Sequence, residues 1–261
     1  MSLQRRSAGL LDALVHARSA GWIIHSARET LNLLLPTSCA ICERADFRLC
    51  PECRHKIHQQ LFLPPLGDQL QFYIELPSTQ WQLPVSASGI YSNELARAIL
   101  AYKNQQRHFL GQEFAPFLAA AINIVCPPRV LGQPTLVVPM PSSVRALSTR
   151  GYRPVEVMLK MAQRQRLLGD HTRTSPVLHY RFRQLLGGQQ KSKAGPARRS
   201  GDSRLIAEIP KYSGQPIILV DDVTTTGSTL RSAALACFEA GYDVIGAVVL
   251  AFTKPPSDDE D

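Results

Sequence analysis

Apolar residues over the first 35 positions recur at helical spacing. Leu3, Leu10, Leu14, Ala17, Ile24 and Leu31 make one stripe, which predicts an N-terminal amphipathic helical segment over 1–35. Arg5, Arg6, Arg18 and Arg28 make that segment basic, so it suits either packing on a folded body or lying on a membrane surface. Pro36 ends it, because the residue before a proline avoids the helical region. Asp12, His16 and Arg18 interrupt the stripe and no small-x-small cleavage site follows, so no signal peptide is expected. No apolar run approaches the roughly eighteen residues that a spanning helix needs.

Between residues 59 and 84 the periodicity fades. Pro64, Pro65, Pro77 and Pro84 punctuate a mostly polar stretch, which reads as a linker or an irregular lobe. From 85 to 253, short apolar runs alternate with helical periods. Strands are expected at Ser88–Tyr91, Thr135–Val138, Ile217–Val220 and Val244–Phe252. Helices are expected over Glu94–Tyr102, Glu113–Val125, Arg153–Leu167 and Thr229–Ala240, the last closed by Gly241. Strand, helix and strand at the C-terminal end predict a parallel βαβ unit with a right-handed crossover. The fold class is therefore α/β, with both faces of a parallel sheet covered.

The chemistry concentrates after the third of those strands. Ile217-Ile218-Leu219-Val220 delivers Asp221 and Asp222 to the carboxyl edge of the sheet, where such sheets place ligands. Val223 and then Thr224, Thr225, Thr226, Gly227, Ser228 and Thr229 follow and open into a helix. Hydroxyl donors, a glycine that admits close approach, and helix-start N–H groups together make a phosphate cradle. Two acids beside such a cradle call for hydroxyl donors or Mg²⁺ on the ligand, since they would otherwise only repel it. A ribose 5-phosphate meets both demands. No Gly-x-x-x-x-Gly-Lys-Ser/Thr or Gly-x-Gly-x-x-Gly pattern occurs, so an ordinary ATPase or dinucleotide site is not expected.

Charge and cysteine usage refine the picture. Lys and Arg number 29 against 21 Asp and Glu, a net charge of +8, although Asp258, Asp259, Glu260 and Asp261 form an acidic tail over 254–261. A basic body favours a polyanionic partner or a phosphorylated ligand. Residues 145–204 hold 14 Lys and Arg against three acids, and Gly187, Gly188, Gly195 and Pro196 make the second half a basic loop. These cations suit a solvated face, pyrophosphate oxygens or a DNA backbone. Lys103 and Arg107 are pyrophosphate candidates from across the cleft. Aromatic residues in the basic stretch are few (Tyr152, Tyr180 and Phe182), which argues for backbone contact rather than base stacking if DNA binds.

Four of six cysteines fall as Cys39-Ala-Ile-Cys42 and Cys50-Pro-Glu-Cys53. Four thiolates in two close pairs match the tetrahedral demand of zinc and predict a structural knuckle over 36–58. Unmetallated thiols and a redox pair are the alternatives, while Cys126 and Cys237 sit in apolar surroundings as expected core thiols. Together these features predict a soluble, cytoplasmic protein.

Leu219–Thr229 resembles the phosphoribosyl pyrophosphate (PRPP) motif of type I phosphoribosyltransferases. Joined to Leu34-Leu35-Pro36-x-x-Cys-x-x-Cys, the second Cys-x-x-Cys, Tyr91, Tyr102-Lys103, Val138-Pro139-Met140-Pro141 and Arg150-Gly151-Tyr152, it is similar specifically to the ComF family. The resemblance implies a parallel-sheet type I phosphoribosyltransferase fold over 85–253, with a zinc knuckle and an N-terminal helix before it. It also implies PRPP binding with Mg²⁺ and service in natural transformation, with single-stranded DNA and DNA-uptake proteins as partners. Arg198 of the basic loop joins Lys103 and Arg107 as a pyrophosphate candidate. Arg153, Pro154, Lys193 and Gly201 depart from the family pattern, which leaves transferase activity open. A nucleobase-salvage transferase, and a non-catalytic DNA-binding or scaffold protein, are the rival readings.

Overall fold

The computed structural model describes residues 37–62, 71–76, 81–126, 133–180 and 205–253. The N-terminal stripe over 1–35, the basic loop from 181 to 204 with Arg198, and the acidic tail lie outside them. The described chain falls into two compact units, one reaching to Arg54 and the other starting at His55. Among the described residues no helix is long and apolar enough to cross a membrane.

In the first unit, a tight turn pairs Ser38 with Ala45, and Cys39 N–H donates to the Arg44 carbonyl at 2.9 Å. Glu43 and Asp46 take φ of 60° and 66° to close it. Helix α1 (Pro51–Gln60) then carries the chain across the boundary. It begins on proline, whose fixed φ and missing N–H suit a first helical position.

The second unit is built on a six-stranded sheet. Its strands are β1 (Gln71–Glu75), β2 (Gln82–Ala87), β3 (Thr135–Pro139), β4 (Thr172–Thr174), β7 (Gln215–Thr224) and β8 (Tyr242–Phe252). A separate antiparallel pair, β5 (Leu178–Tyr180) and β6 (Leu205–Ala207), brackets the basic loop in sequence. The sheet order is β1-β2-β8-β7-β3-β4. β1 and β2 are antiparallel and every other neighbouring pair is parallel. The expected mixed α/β architecture with a mostly parallel sheet and a cysteine cluster ahead of it is therefore present.

Among the described residues five further helices belong to the second unit: α2 (Asn93–Asn104), α3 (Leu110–Val125), α4 (Val144–Arg150), α5 (Pro154–Arg164) and α6 (Ser228–Ala240). Strand alternation sorts the central strand between two faces. Ile217 and Leu219 join Leu230, Ala233, Ala234 and Cys237 of α6 in one apolar cluster. Ile218 and Val220 are equally buried and point to the other face. Both faces being covered is why this strand reads as one unbroken apolar run.

Several elements differ from the sequence expectations. The stretch expected as a linker supplies β1 and the start of β2. The expected strand at Ser88–Tyr91 is instead the exit from β2, held by the isolated pairings of Leu61 with Gly89 and Ile90 with Phe252. Pro84 had suggested a break, yet it only precedes Val85, where the parallel pairing with β8 begins. α4 was not expected at all. None of its residues is buried, so it has no apolar period; its signature is the Ser143 cap, whose Oγ accepts from Ala146 N–H, and Gly151 at φ 75°.

Candidate functional site

β7 runs further than its apolar core suggested. Pairing with β8 continues through Asp221 opposite Val249 to Thr224 opposite Phe252, so both acids lie within the strand. Adjacent strand residues face opposite sides, and the surroundings agree. Asp222 faces α2, where Lys103 Nζ donates to its Oδ1 at 2.9 Å. Asp221 lies on the other face, and its charge helps push the Tyr180 hydroxyl up after burial itself. The two carboxylates thus leave the strand on different faces yet stay close enough to act on each other.

Each carboxylate also takes a backbone amide: Asp221 Oδ1 from Asp222 N–H at 2.8 Å, and Asp222 Oδ1 from Val223 N–H at 2.7 Å. Burial, then the neighbouring Asp222 carboxylate, push the Asp221 carboxyl up from 3.8 to about 8. The folded chain therefore keeps a proton that the unfolded chain has lost. Stability should fall as pH rises from 3.8 to about 8. Asp221→Asn should flatten that slope, read as urea midpoints across this window; an unchanged slope would put the proton elsewhere.

Beyond the strand, Thr224 is buried while Thr225, Thr226, Ser228 and Thr229 are exposed. Among the described residues, none of those four exposed hydroxyls has a hydrogen-bond partner. Gly227 is the N-cap of α6 at φ 70°, and no side chain caps the helix. The first N–H groups of α6 and four hydroxyls therefore gather at the carboxyl edge of the sheet, which is what an anionic oxygen cluster requires. Gly227 is needed twice over: its φ suits glycine, and a Cβ there would run into Ile74 of β1.

A second wall comes from α2 and the segment after β3. Pro139 at the end of β3 pairs with Val220, and Met140 N–H donates to the Val220 carbonyl at 2.8 Å, so the Val138–Pro141 segment ends beside the acids. α4 follows and leads to Tyr152. The Tyr152 hydroxyl donates to the Tyr102 carbonyl, and the Tyr102 hydroxyl donates to the Pro154 carbonyl at 2.8 Å. Burial first, with Arg150 opposing and Asp222 adding, pushes the Tyr152 hydroxyl up to about 12. His108 packs edge-on to Tyr152 with ring centroids 4.2 Å apart. Of the predicted pyrophosphate residues, Lys103 is brought to Asp222, Arg107 lies half-buried in the turn after α2, and Arg198 is outside the described residues. The structuring roles of Tyr102 and Tyr152 were missed; the Tyr102-Lys103 and Arg150-Gly151-Tyr152 motifs were their traces in the sequence.

In the first unit the Sγ atoms of Cys39, Cys42, Cys50 and Cys53 lie within 4.8 Å of one another. Cys42 Sγ and Cys50 Sγ are 3.6 Å apart, close to the edge of about 3.8 Å that a tetrahedron of zinc–sulfur bonds implies. Cys50 N–H points at Cys39 Sγ (3.4 Å) and Cys53 N–H at Cys50 Sγ (3.5 Å). Burial raises the Cys39 thiol, but hydrogen bonds from the backbone of Cys42, Cys50 and Ile41 outweigh it and bring the group down to about 6. Such donor amides favour thiolate, and the four sulfurs could bind a metal such as zinc. Cys126 and Cys237 are buried, and burial pushes both thiols up to about 12.

One stretch of the chain is locally similar to a phosphoribosyltransferase. The adenine phosphoribosyltransferase of Hydrogenovibrio crunogenus (strain DSM 25203 / XCL-2) is 38% identical over 47 residues, 18% of this chain and 27% of that protein. The match thus spans only about a quarter of the relative's length. A solved structure described as the allosteric regulatory enzyme of purine biosynthesis overlays 57% of this chain and 26% of its own, at 17% identity and a TM-score of 0.32. No protein-family model matches the chain.

Proposed function

We propose that the protein binds PRPP at the carboxyl edge of β7 and that it is a ComF-type protein serving DNA uptake and use. The observation that carries the reading is the uncapped, glycine-started N-terminus of α6 with four exposed, unpartnered hydroxyls directly after two strand acids. In this reading Thr225, Thr226, Gly227, Ser228 and Thr229 hold the 5-phosphate, with Thr224 buried beneath them. Asp221 and Asp222 accept from the ribose hydroxyls, and Lys103, Arg107 and Arg198 face the diphosphate. Each bond to a charged oxygen contributes about 1.5–3 kcal/mol. Mg²⁺, when bound with PRPP, would neutralise diphosphate charge.

Pentosyl transfer would displace pyrophosphate from the anomeric carbon. The chain's own part is to fix the sugar and to spread charge over the departing group. Cys39, Cys42, Cys50 and Cys53 would hold a structural zinc, and single-stranded DNA with uptake proteins would be the larger partners. Arg145 of α4 and Arg153 after it are exposed and are suited to a phosphate backbone. A second reading, salvage of a nucleobase, is favoured by the local likeness to an adenine phosphoribosyltransferase.

Calorimetric titration of the full chain with PRPP, with and without Mg²⁺, tests the proposal. Saturable one-site binding that strengthens with Mg²⁺ is the expected result, and no heat of binding in either condition would refute it. Release of pyrophosphate on adding adenine would favour the salvage reading.

A further inference from the structure

α3 leaves one corner of the sheet bare. Gly246 lies on the side of β8 that meets α3, since a Cβ there would come 3.3 Å from Val125 Cγ1. Ser86 pairs with Val248 and so shares that side, as do Gln71 and Tyr73 through their pairing with Ser86 and Pro84. α3 ends at Val125, and the β1 residues on this side, Gln71, Tyr73 and Glu75, are all exposed. Between Tyr73, 63% exposed, and Ile124, 51% exposed, opens a cavity of about 290 Å³. Pro84, Val125 and Ile245 complete its walls.

Two local features shape this cavity. Ile217 pairs with Val244 and Ile218 with Gly246, so Ile245 is the extra residue of a β-bulge. Bulges bend a strand and re-aim a side chain, and Ile245 thereby joins the cavity wall. Ser86 also lines the cavity, is only 3% exposed, and its Oγ has no hydrogen-bond partner among the described residues. Buried hydroxyls are as a rule paired. Ser88, two residues on and on the same side, shows how: its Oγ donates to the Phe117 carbonyl of α3 at 3.2 Å. Ser86 has no such acceptor in reach.

None of the residues lining the cavity carries a charge, so a phosphate or carboxylate would lose its water there without compensation. An apolar cavity of about 150 Å³ holds a benzene ring, and this one is about twice that size. We propose that the cavity binds an uncharged aromatic molecule of one or two fused rings, whose single ring N–H or hydroxyl pairs with Ser86 Oγ. A rigid ring loses little conformational freedom on binding and packs well on Tyr73 and Pro84. The serine hydroxyl, both donor and acceptor, fixes which edge of the ring points inward. The site is separate from the phosphate cradle. Ile245 precedes Val249, the partner of Asp221, by four residues, or about 13 Å of strand towards the amino edge of the sheet. It therefore stands whether or not PRPP binds.

The experiment titrates the full chain, labelled with ¹³C at its isoleucine methyl groups, with indole and separately with indene, which keeps the two-ring outline but lacks the N–H. Indole should shift the Ile124 and Ile245 methyl signals saturably and leave Ile74, beneath Gly227, unmoved. It should bind at least about threefold more tightly than indene, the effect of one neutral hydrogen bond. Ser86→Ala removes only an unpaired hydroxyl, so it should fold, keep indene binding and lose the preference for indole. Ile124→Glu, at an exposed position, should weaken both compounds by placing a charge at the apolar mouth. No saturable shift at Ile124 and Ile245, equal affinity for the two compounds, or a preference that survives Ser86→Ala would each overturn the proposal. Methyl signals that follow protein concentration instead of indole would make this face a contact between copies of the chain, and would overturn it too.

Discussion

Asp221→Asn combined with Asp222→Asn is expected to abolish the proposed PRPP binding while leaving the chain folded. Each asparagine keeps the shape of the side chain it replaces but loses its charge. The charge-assisted acceptor at Asp222 is worth about 1.5–3 kcal/mol. The acceptor at Asp221, whose carboxyl is pushed up to about 8, is worth about 0.5–1.5 kcal/mol. Together they amount to at least about a thirtyfold loss in affinity. The change leaves Lys103 without its carboxylate partner, but Lys103 is part-exposed, and water can take its place. At position 221 the change removes a charge that burial and Asp222 already disfavour, so the folded state should not suffer there. The measurement pairs calorimetry with a thermal melt. Wild-type affinity in the double variant would refute the assignment of the ribose to these acids.

Cys42→Ser is expected to lose the zinc and loosen the segment from Thr37 to Cys53. That segment has few apolar residues of its own in the core: Cys39, Leu49, Cys50 and Cys53 are its buried hydrophobic positions, and three of these four are proposed ligands. A metal at four thiolates supplies apparent folding energy of about 10–16 kcal/mol in small zinc modules, far more than one leucine can. Cys42 is the exposed member of the set, so serine there disturbs packing least and tests the metal most directly. The readouts are zinc content per chain and the rate of proteolytic cutting before residue 54. Equal zinc in wild type and variant would show that Cys42 is not a ligand.

The sequence was informative where burial imposes a pattern. Ile217–Val220 is apolar because both faces of β7 are covered, and Gly241 marks the end of α6 because its φ is 97°. The cysteine pairs were equally plain, since ligand spacing is a local property. Long-range pairing was not local and so was not legible. Asp221 to Thr224 do not look like a strand, yet β8 pairs with them as far as Phe252. The opposite facing of the two acids follows from that pairing alone. α4 buries nothing, so only its caps could betray it. Lys103 and Asp222 are 119 positions apart, and no spacing rule links such residues.

Ile74 gives the proline-punctuated stretch a weight its composition hides. This side chain, 5% exposed, comes up beneath Gly227 and shares the apolar cluster with α6. The bend that would cup the terminal phosphoryl group therefore has for its floor a strand from a region easily dismissed as a tether. Anyone trimming this chain to a minimal core at residue 85 would be removing the underside of that bend. The loss would surface as a slack, poorly shaped anion seat rather than as a missing ligand contact.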